Sequence, residues 1–159
     1  MIRARASYQG RWSVAVLVPL IGALLGFVSH GWGQITEDRE GEVKLVRSVL
    51  DQLDKANQDR NLDLVLAQYS DDAKIDSKAA RAKVSKAAYK DAVIQLWQKE
   101  PKLWSEYKGI RVSLTDSTHA VAEGTVYIHL TNGSNIISKH EWKLEKRDGR
   151  WLIVETNYK

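Results

Sequence analysis

The sequence predicts an α+β domain in which three helices pack on the concave face of a strongly curved antiparallel sheet. Residues 110–158 contain four runs rich in β-branched and aromatic residues, which turn dipeptides separate. Residues 36–100 contain three stretches whose apolar residues recur with helical spacing. Three helices cannot cover both faces of such a sheet, and the right-handed twist of long strands should curl it around them into a cone.

Residues 1–33 have the composition of an export signal. Arg3, Arg5 and Arg11 precede an uninterrupted apolar run from Val14 to Val28, and small residues follow it. As a helix this run would reach about 22 Å, which is short of a hydrocarbon core of roughly 30 Å. We therefore expect a cleaved signal peptide and a periplasmic or secreted protein. The alternative is a membrane anchor formed by the same segment left uncleaved.

The remainder, residues 36–159, is predicted to be one domain with no electrostatic reason to bind nucleic acid. The chain of 159 residues has a formal charge of +4, but three of its 24 basic residues lie in the export segment, which leaves 21 against 20 acidic ones. The absence of cysteine excludes disulfides and thiolate chemistry. No metal-binding histidine spacing and no phosphate-binding glycine loop occurs, so we predict neither metal nor cofactor.

The predicted domain begins with an amphipathic helix from Thr36 to about Arg60. Its apolar stripe keeps the 3.6-residue period: Val43, Val46, Val49, Leu50, Leu53 and Ala56. Asn61 is placed to cap a second, shorter helix, and residues 73–77 read as a short strand. Ser85 is placed to cap a third helix, which ends before Pro101 and is predicted to bury Tyr89, Val93, Leu96 and Trp97.

Four strands follow, at residues 110–114, 120–130, 135–146 and 151–158. A two-residue turn at Asp148-Gly149 would pair Arg147 with Arg150. Counting back from that turn, Leu144 opposes Ile153, Trp142 opposes Glu155, and His140 opposes Asn157. These residues would share the inner face with Trp151, whereas the outer face would carry Lys139, Glu141, Lys143 and Glu145.

At Asn132-Gly133 the turn and the apolar pattern disagree. A two-residue turn would bury the odd-numbered residues of the second strand, although its even-numbered residues are the more apolar set. A three-residue loop at residues 132–134, or a bulge nearby, restores the match. We predict that the even-numbered face is buried in both strands, with Glu123 opposite Lys143.

Two segments resemble the nuclear transport factor 2-like superfamily, which includes the SnoaL-like polyketide cyclases and the ketosteroid isomerases. The run from Asn61 to Ala73 is similar to its second helix and the turn that follows, and the run from Arg147 to Val154 is similar to its final hairpin. The resemblance implies a cone-shaped α+β barrel with a pocket between sheet and helices, often dimeric through the sheet. It leaves function open, since this fold hosts both enzymes and binding modules.

Ketosteroid isomerases of this superfamily place a general-base carboxylate just after the first short strand. In this sequence an inward-pointing Ile75 would put Ser77 on its face and turn Asp76 away. The base position then falls on Ser77, which cannot abstract a carbon-bound proton unaided. Asp76 would serve only if the strand were shifted by one residue.

His140 and Glu155 are the candidate catalytic residues, because a carboxylate beside an imidazole raises the imidazole pKa and fixes its tautomer. A hydrogen-bonded rim that orients a ligand is the stronger interpretation of the same cluster. The remaining candidates for ligand contact lie on helical stripes or on the inner sheet face: Tyr69, Tyr89, Trp97, Trp142, Asn157 and Ser77.

Two functions remain. The first, which we favour, is an exported binding module or accessory protein whose pocket takes a small, partly apolar molecule. The second is a cofactor-free lyase, isomerase or cyclase that uses His140 with Glu155. A homodimer through the outer sheet face is also expected, with Tyr127, Val154 and Tyr158 at the contact.

Overall fold

The computed structural model describes residues 22–77 and 80–159, and it places side chains from residue 38 onward. Glu37–Lys159 form one compact unit. The helices are α1 (Gly22–Gln58), α2 (Leu62–Ala67) and α3 (Lys86–Lys99). The strands are β1 (Tyr69–Ser77), β2 (Ala82–Val84), β3 (Trp104–Leu114), β4 (His119–His129), β5 (Asn135–Arg147) and β6 (Arg150–Tyr158).

The strands form one mixed sheet in the order β2-β1-β6-β5-β4-β3. Strand β1 runs parallel to β6, and every other neighbouring pair is antiparallel. The predicted α+β class and four-stranded meander are confirmed. The short strand β2 was not predicted, because its three residues are largely exposed and lack an apolar alternation.

The predicted export signal covers residues 1–33, and residues 1–21 of it lie outside the described residues. Cleavage and export therefore stay predictions. The backbone of α1 is helical from Gly22, whereas the apolar period predicted a start at Thr36. Among the described helices, none has the length and apolar character that a membrane span requires.

Both predicted helix caps are confirmed. Asn61 accepts a hydrogen bond from the Leu64 N–H at 3.1 Å, and Ser85 accepts one from the Ala88 N–H at 3.3 Å. Arg60 follows the end of α1 and, with a φ of 54°, turns the chain out of the helix. Its guanidinium donates to carbonyl oxygens at the end of α3, those of Trp97, Glu100 and Leu103. Arg60 therefore satisfies carbonyls that a helix terminus leaves unpaired.

One hydrophobic core packs the helices against the inner sheet face. The α1 stripe contributes Val46, Leu50 and Leu53, and the sheet contributes Trp142, Leu144 and Ile153, all essentially inaccessible to solvent. The predicted burial of Leu96 is wrong, since 40% of its surface is exposed. Val93, three residues earlier in α3, is buried.

The loop between β4 and β5 confirms the predicted parity but shifts the register. Residues 131–133 form a three-residue loop, because the Leu130 N–H donates to the Ser134 carbonyl at 2.8 Å. The buried positions of both strands are even-numbered, as predicted, although Ile136 at the start of β5 is exposed. Glu123 lies opposite Glu141 and not Lys143, since the loop begins one residue earlier than predicted. Lys159 forms ion pairs with both of these glutamates.

A bulge at Gly109 bends β3 and changes which of its residues face inward. Gly109 has a φ of +64°, and the pairing with β4 shifts by one residue between Lys108 and Arg111. Tyr107 therefore faces the core from one side of the bulge and Ile110 from the other. The strand begins at Trp104, six residues before the predicted start, because the bulge interrupts the alternation from which the start was read.

Strand β3 is the last strand of the sheet, and side chains of α1 cover its open edge. The Leu114, Ile110 and Ser105 carbonyl oxygens accept hydrogen bonds from Arg39, Arg47 and Gln58. The Tyr107 N–H donates to Asp54 at 3.1 Å. Positions 39, 47, 54 and 58 recur at near-helical spacing, so one side of α1 supplies all four partners. These hydrogen bonds occupy backbone groups that an edge strand would otherwise offer to another chain.

Glu42 fastens α1 to the β5–β6 hairpin. Its carboxylate accepts from the Lys146 ammonium and from the Trp151 indole N–H, both at 2.6 Å. The hydrogen bond from Lys146, followed by that from Trp151, lowers the Glu42 pKa from its ordinary value. A partly buried carboxylate with two charge-assisted or indole donors holds the helix in a defined register on the sheet.

Gly124 provides a test of how tightly β3 packs on β4. A Cβ at this position would lie 2.4 Å from the Ile110 Cδ1 atom and 3.2 Å from the Lys108 carbonyl oxygen. We expect Gly124→Ala to lower the free energy of unfolding by about 1–3 kcal/mol, because overpacking displaces Ile110.

The matched control for this substitution is Gly41→Ala. Gly41 lies within α1 and a Cβ there would contact nothing within 4 Å, so helix propensity should raise stability by about 0.5–1 kcal/mol. Urea denaturation measures both variants. Equal effects of the two substitutions would contradict the close approach of Ile110 to Gly124.

Candidate functional site

One extra residue in β6 decides which side chains reach the concave face. Leu144 opposes Ile153 as predicted, but the next pair is Lys143 with Glu155, so Val154 is an additional residue in β6. Beyond this bulge Trp142 pairs with Thr156 and His140 pairs with Tyr158. The predicted pairs of Trp142 with Glu155 and of His140 with Asn157 are therefore wrong.

The bulge turns Glu155 and Asn157 onto the outer face. Glu155 forms ion pairs with Lys83 and with Lys143, and the hydrogen bond from Lys83 is the main cause that lowers the Glu155 pKa. The Asn157 amide donates to the Glu141 carboxylate at 3.1 Å. Glu155 therefore does not prepare His140 as an acid or base, and Asn157 does not face the predicted pocket.

His140 lies on the concave face with different neighbours. Its Nε2 atom is 2.8 Å from the Ser138 hydroxyl oxygen. Its ring stacks beside Trp142, with centroids 5.4 Å apart, and meets the edge of the Tyr158 ring at 4.5 Å. Trp142 is 2% exposed and belongs to the core, whereas His140 and Tyr158 are half-buried. The imidazole therefore lies where the solid core gives way to an accessible surface.

Four tyrosines surround this position on the concave face. Tyr69 and Tyr89 contact each other with ring centroids 5.4 Å apart, and the Tyr107 ring stacks beside Trp142 at 5.5 Å. Burial raises the pKa of Tyr69, Tyr89 and Tyr107, and it raises the pKa of Tyr158 to about 12. The four phenols therefore stay protonated at neutral pH, and a protonated phenol can donate a hydrogen bond.

Ser77 and Asp76, the two candidates for the general-base position, both accept hydrogen bonds from backbone N–H groups. Ile75 is buried, as predicted. The Ser77 hydroxyl accepts a hydrogen bond from the Ala80 N–H at 3.2 Å, within the turn that leads to β2. The Asp76 carboxylate accepts from the Tyr158 N–H at 3.1 Å, and its charge contributes to the raised Tyr158 pKa. Asp76 thus fastens the end of β1 to the end of β6.

Trp97, the last of the predicted contact residues, is partly buried against the core from α3. Its part in lining a pocket stays a prediction, as do those of Tyr69 and Tyr89. Several open cavities are lined by described residues. One, of about 440 Å³, lies beside Lys86 and Arg147, and another, of about 410 Å³, lies beside Arg111, Lys139 and His140. Among the described side chains, no group of three or more metal-ligating residues comes together.

Comparisons with known proteins identify the fold. No protein-family model matches the sequence, and no curated protein matches it at a significant level. A putative scytalone dehydratase from Novosphingobium aromaticivorans matches with a TM-score of 0.69 and 12% identity, over 78% of this chain and 87% of that one. An NTF2-like protein of unknown function from Pseudomonas putida matches with a TM-score of 0.65 and 16% identity, over 75% and 86%.

A third structure is a putative calcium/calmodulin-dependent protein kinase II association domain from Xanthomonas campestris. It matches with a TM-score of 0.61 and 24% identity, over 71% of this chain and 83% of that one. Identities this low show the fold and not the function. The chain therefore has the cone-shaped nuclear transport factor 2-like fold, as the sequence resemblance predicted, and this fold class includes enzymes as well as proteins of unknown function.

Three residues of the site were missed by sequence reasoning. The sequence pattern could have identified Ser138, because alternation along β5 places Ser138 on the same face as His140 and Trp142. Tyr158 was assigned to the outer face, because the Val154 bulge has no marker in the sequence. Tyr107 lies before the Gly109 bulge, in a stretch that was not predicted as strand. A glycine within a strand pattern was the one available signal.

The corrected register predicts which substitutions the His140 ring senses. We expect Glu155→Gln to leave the NMR chemical shifts of the His140 ring unchanged at fixed pH, because the sheet separates the two side chains. Tyr158→Leu removes a ring that lies 4.5 Å from the imidazole, so it should displace those shifts markedly. Comparable displacement by both substitutions would contradict the Val154 bulge.

Proposed function

We propose that this protein binds a small, partly apolar molecule on the concave face of the sheet, around His140, and acts as a binding module or as an accessory to a partner protein. The observation that carries this proposal is the arrangement of half-buried polar aromatic side chains next to the solid core. His140 and Tyr107 are half-buried and stack beside the buried Trp142, and the half-buried Tyr158 meets the His140 ring. Protonated phenols and an imidazole can orient a ligand whose apolar part rests on aromatic rings.

The second candidate is a cofactor-free lyase, isomerase or cyclase. The specific observation in its favour is the placement of His140 among protonated tyrosines, which supplies a proton acceptor and several donors in one site. A fold shared with a putative scytalone dehydratase is consistent with this chemistry. In this version His140 acts without Glu155, which is engaged by Lys83 and Lys143 on the outer face.

We also propose a homodimer through the outer sheet face. Ile137 and Trp104 are 60% and 46% exposed, and they lie beside Tyr127 on the outer sides of β3, β4 and β5. Val154 stays available for such a contact, whereas Tyr158 does not, because it packs against His140 inside. Light scattering during gel filtration would measure the mass of two chains, and a monomer at all concentrations would contradict the dimer.

Export is proposed from residues 1–33 alone. We expect that expression of the full chain in a bacterial host, followed by fractionation and intact-mass measurement, yields a periplasmic or secreted product that begins near Gln34. The physical reason is the short apolar run behind three arginines. A full-length chain in the membrane fraction would support the anchor instead, and a full-length cytoplasmic chain would contradict both.

The ligand-binding proposal is tested with a set of phenols, cyclic ketones and indoles, screened by ligand-observed NMR against the purified protein. For the best-binding compound we expect His140→Ala to raise the Kd at least tenfold, because a central polar contact is lost. Mass spectrometry of any co-purified molecule would extend the screen to a native ligand.

The matched control is His129→Ala. His129 stacks on Trp104 on the outer face, so its removal should leave the Kd unchanged. Equal effects of both substitutions, or no bound compound and no co-purified molecule, would contradict the proposal. If the compound is turned over, and His140→Ala abolishes turnover with little change in binding, the enzyme is favoured over the binding module.

A further inference from the structure

Ser138 and His140 form a hydrogen-bonded pair on one face of β5. The Ser138 Oγ and His140 Nε2 atoms are 2.8 Å apart, within the range that a nucleophile and its general base require. The two residues are separated by one position, so strand alternation points both side chains to the concave face. Neither the resemblance of the sequence nor the predicted pair of His140 with Glu155 drew attention to Ser138.

The imidazole is held in one plane by its neighbours. Trp142 stacks beside it with an interplanar angle of 18°, and Tyr158 meets it edge-on at 70°. Trp142 is fixed in the core, so the stacking restrains rotation of the His140 ring. In serine hydrolases a third group orients the base. Here two aromatic rings provide the orientation, and Nε2 is aimed at the hydroxyl.

His140 is half-buried and lines an open cavity of about 410 Å³. The last residue pair between β5 and β6 joins His140 to Tyr158, and the Lys159 N–H donates to the Lys139 carbonyl at 3.0 Å, so Ser138 is the first residue of β5 left unpaired on this side. On the opposite side Ser138 is paired with Val126 of β4, an apolar neighbour. The Ser138 side chain is 8% exposed, which keeps its hydroxyl largely shielded from bulk water and in contact with the imidazole.

We propose that Ser138 is a nucleophile with His140 as its general base, and that the site transfers the acyl group of small carboxylic esters. The inference rests on the proposed function, since it requires that small molecules reach the concave face around His140. It goes beyond that function by assigning a covalent step and a substrate class.

The reaction is balanced without a cofactor. The Ser138 oxygen attacks the ester carbonyl carbon, and its proton passes to Nε2 of a neutral His140 that carries its own proton on Nδ1. Collapse of the tetrahedral intermediate breaks the bond to the alkoxy group, which leaves as an alcohol with the proton from Nε2. Water then attacks the acyl-serine by the same route, releases the carboxylic acid and restores the Ser138 hydroxyl.

The experiment uses a fluorophosphonate, which forms an oxygen–phosphorus bond with an activated serine and releases fluoride. We expect the intact full chain to gain one adduct, which peptide mass spectrometry locates on Ser138. Ser138→Ala should abolish the adduct. His140→Ala and His140→Gln should slow its formation by about 10²–10⁴-fold, the usual contribution of a general base. The matched control is Ser105→Ala, which removes a buried serine of β3 and should change nothing.

A second measurement keeps the test independent of phosphonate access. The chain contains no cysteine, so Ser138→Cys introduces a single thiol. We expect iodoacetamide to alkylate it at least tenfold faster than it alkylates the same thiol in a Ser138→Cys/His140→Gln double variant, because the imidazole promotes the thiolate. Far-ultraviolet circular dichroism confirms that each variant is folded.

The outcomes separate this inference from the proposed function. If the folded wild-type chain gains no adduct, or gains it on another serine, Ser138 is not the nucleophile. If the adduct forms on Ser138 at a rate that does not depend on His140, or if the two cysteine variants are alkylated at equal rates, His140 is not the general base. Compounds that still bind around His140 in these cases leave the binding module standing. Absence of both binding and labelling overturns both proposals.

Discussion

The Val154 bulge controls the chemical character of the concave face. Because side chains alternate along a strand, one additional residue exchanges the two faces for everything that follows it. Upstream of the bulge, Ile153 packs in the core opposite Leu144. Downstream, Thr156 and Tyr158 face inward while Glu155 turns out to Lys83 and Lys143. The site around His140 is therefore aromatic and hydroxyl-rich, and Glu155 contributes no carboxylate to it.

A second constraint is the fit of α1 to the sheet. Arg39, Arg47, Asp54 and Gln58 satisfy backbone groups along the edge of β3, and Glu42 binds the far hairpin through Lys146 and Trp151. These polar contacts define the position of a helix whose apolar stripe alone would tolerate sliding. With α1 fixed, Leu50 and Leu53 pack in the core, and His140 and Tyr158 lie half-buried next to it. The division into core and candidate site follows from this placement.

The two faces of the sheet differ in composition: the outer face is charged and the inner face is aromatic. On the outer face, ion pairs link neighbouring strands: Lys159 pairs with Glu123 and Glu141, and Lys143 pairs with Glu155. Exposed ion pairs of this kind contribute little stability each. They keep the centre of the outer face polar, whereas Trp104 and Ile137 are exposed apolar side chains. The chemistry proposed for Ser138 and His140 lies on the opposite side of the same strands.

Local sequence was sufficient to predict several features that depend on neighbouring residues. The Asn61 and Ser85 caps, the α1 stripe and the Asp148-Gly149 turn follow from propensity and hydrophobic period, and all are confirmed. The sequence also predicted which alternating residues of β4 and β5 face the core, because only one of the two possible faces carries the apolar residues. The bulges at Gly109 and Val154 did not follow. A bulge is selected by the packing of strands against distant partners. The tertiary structure alone therefore decided that the neighbours of His140 are Ser138 and Tyr158 and not Glu155.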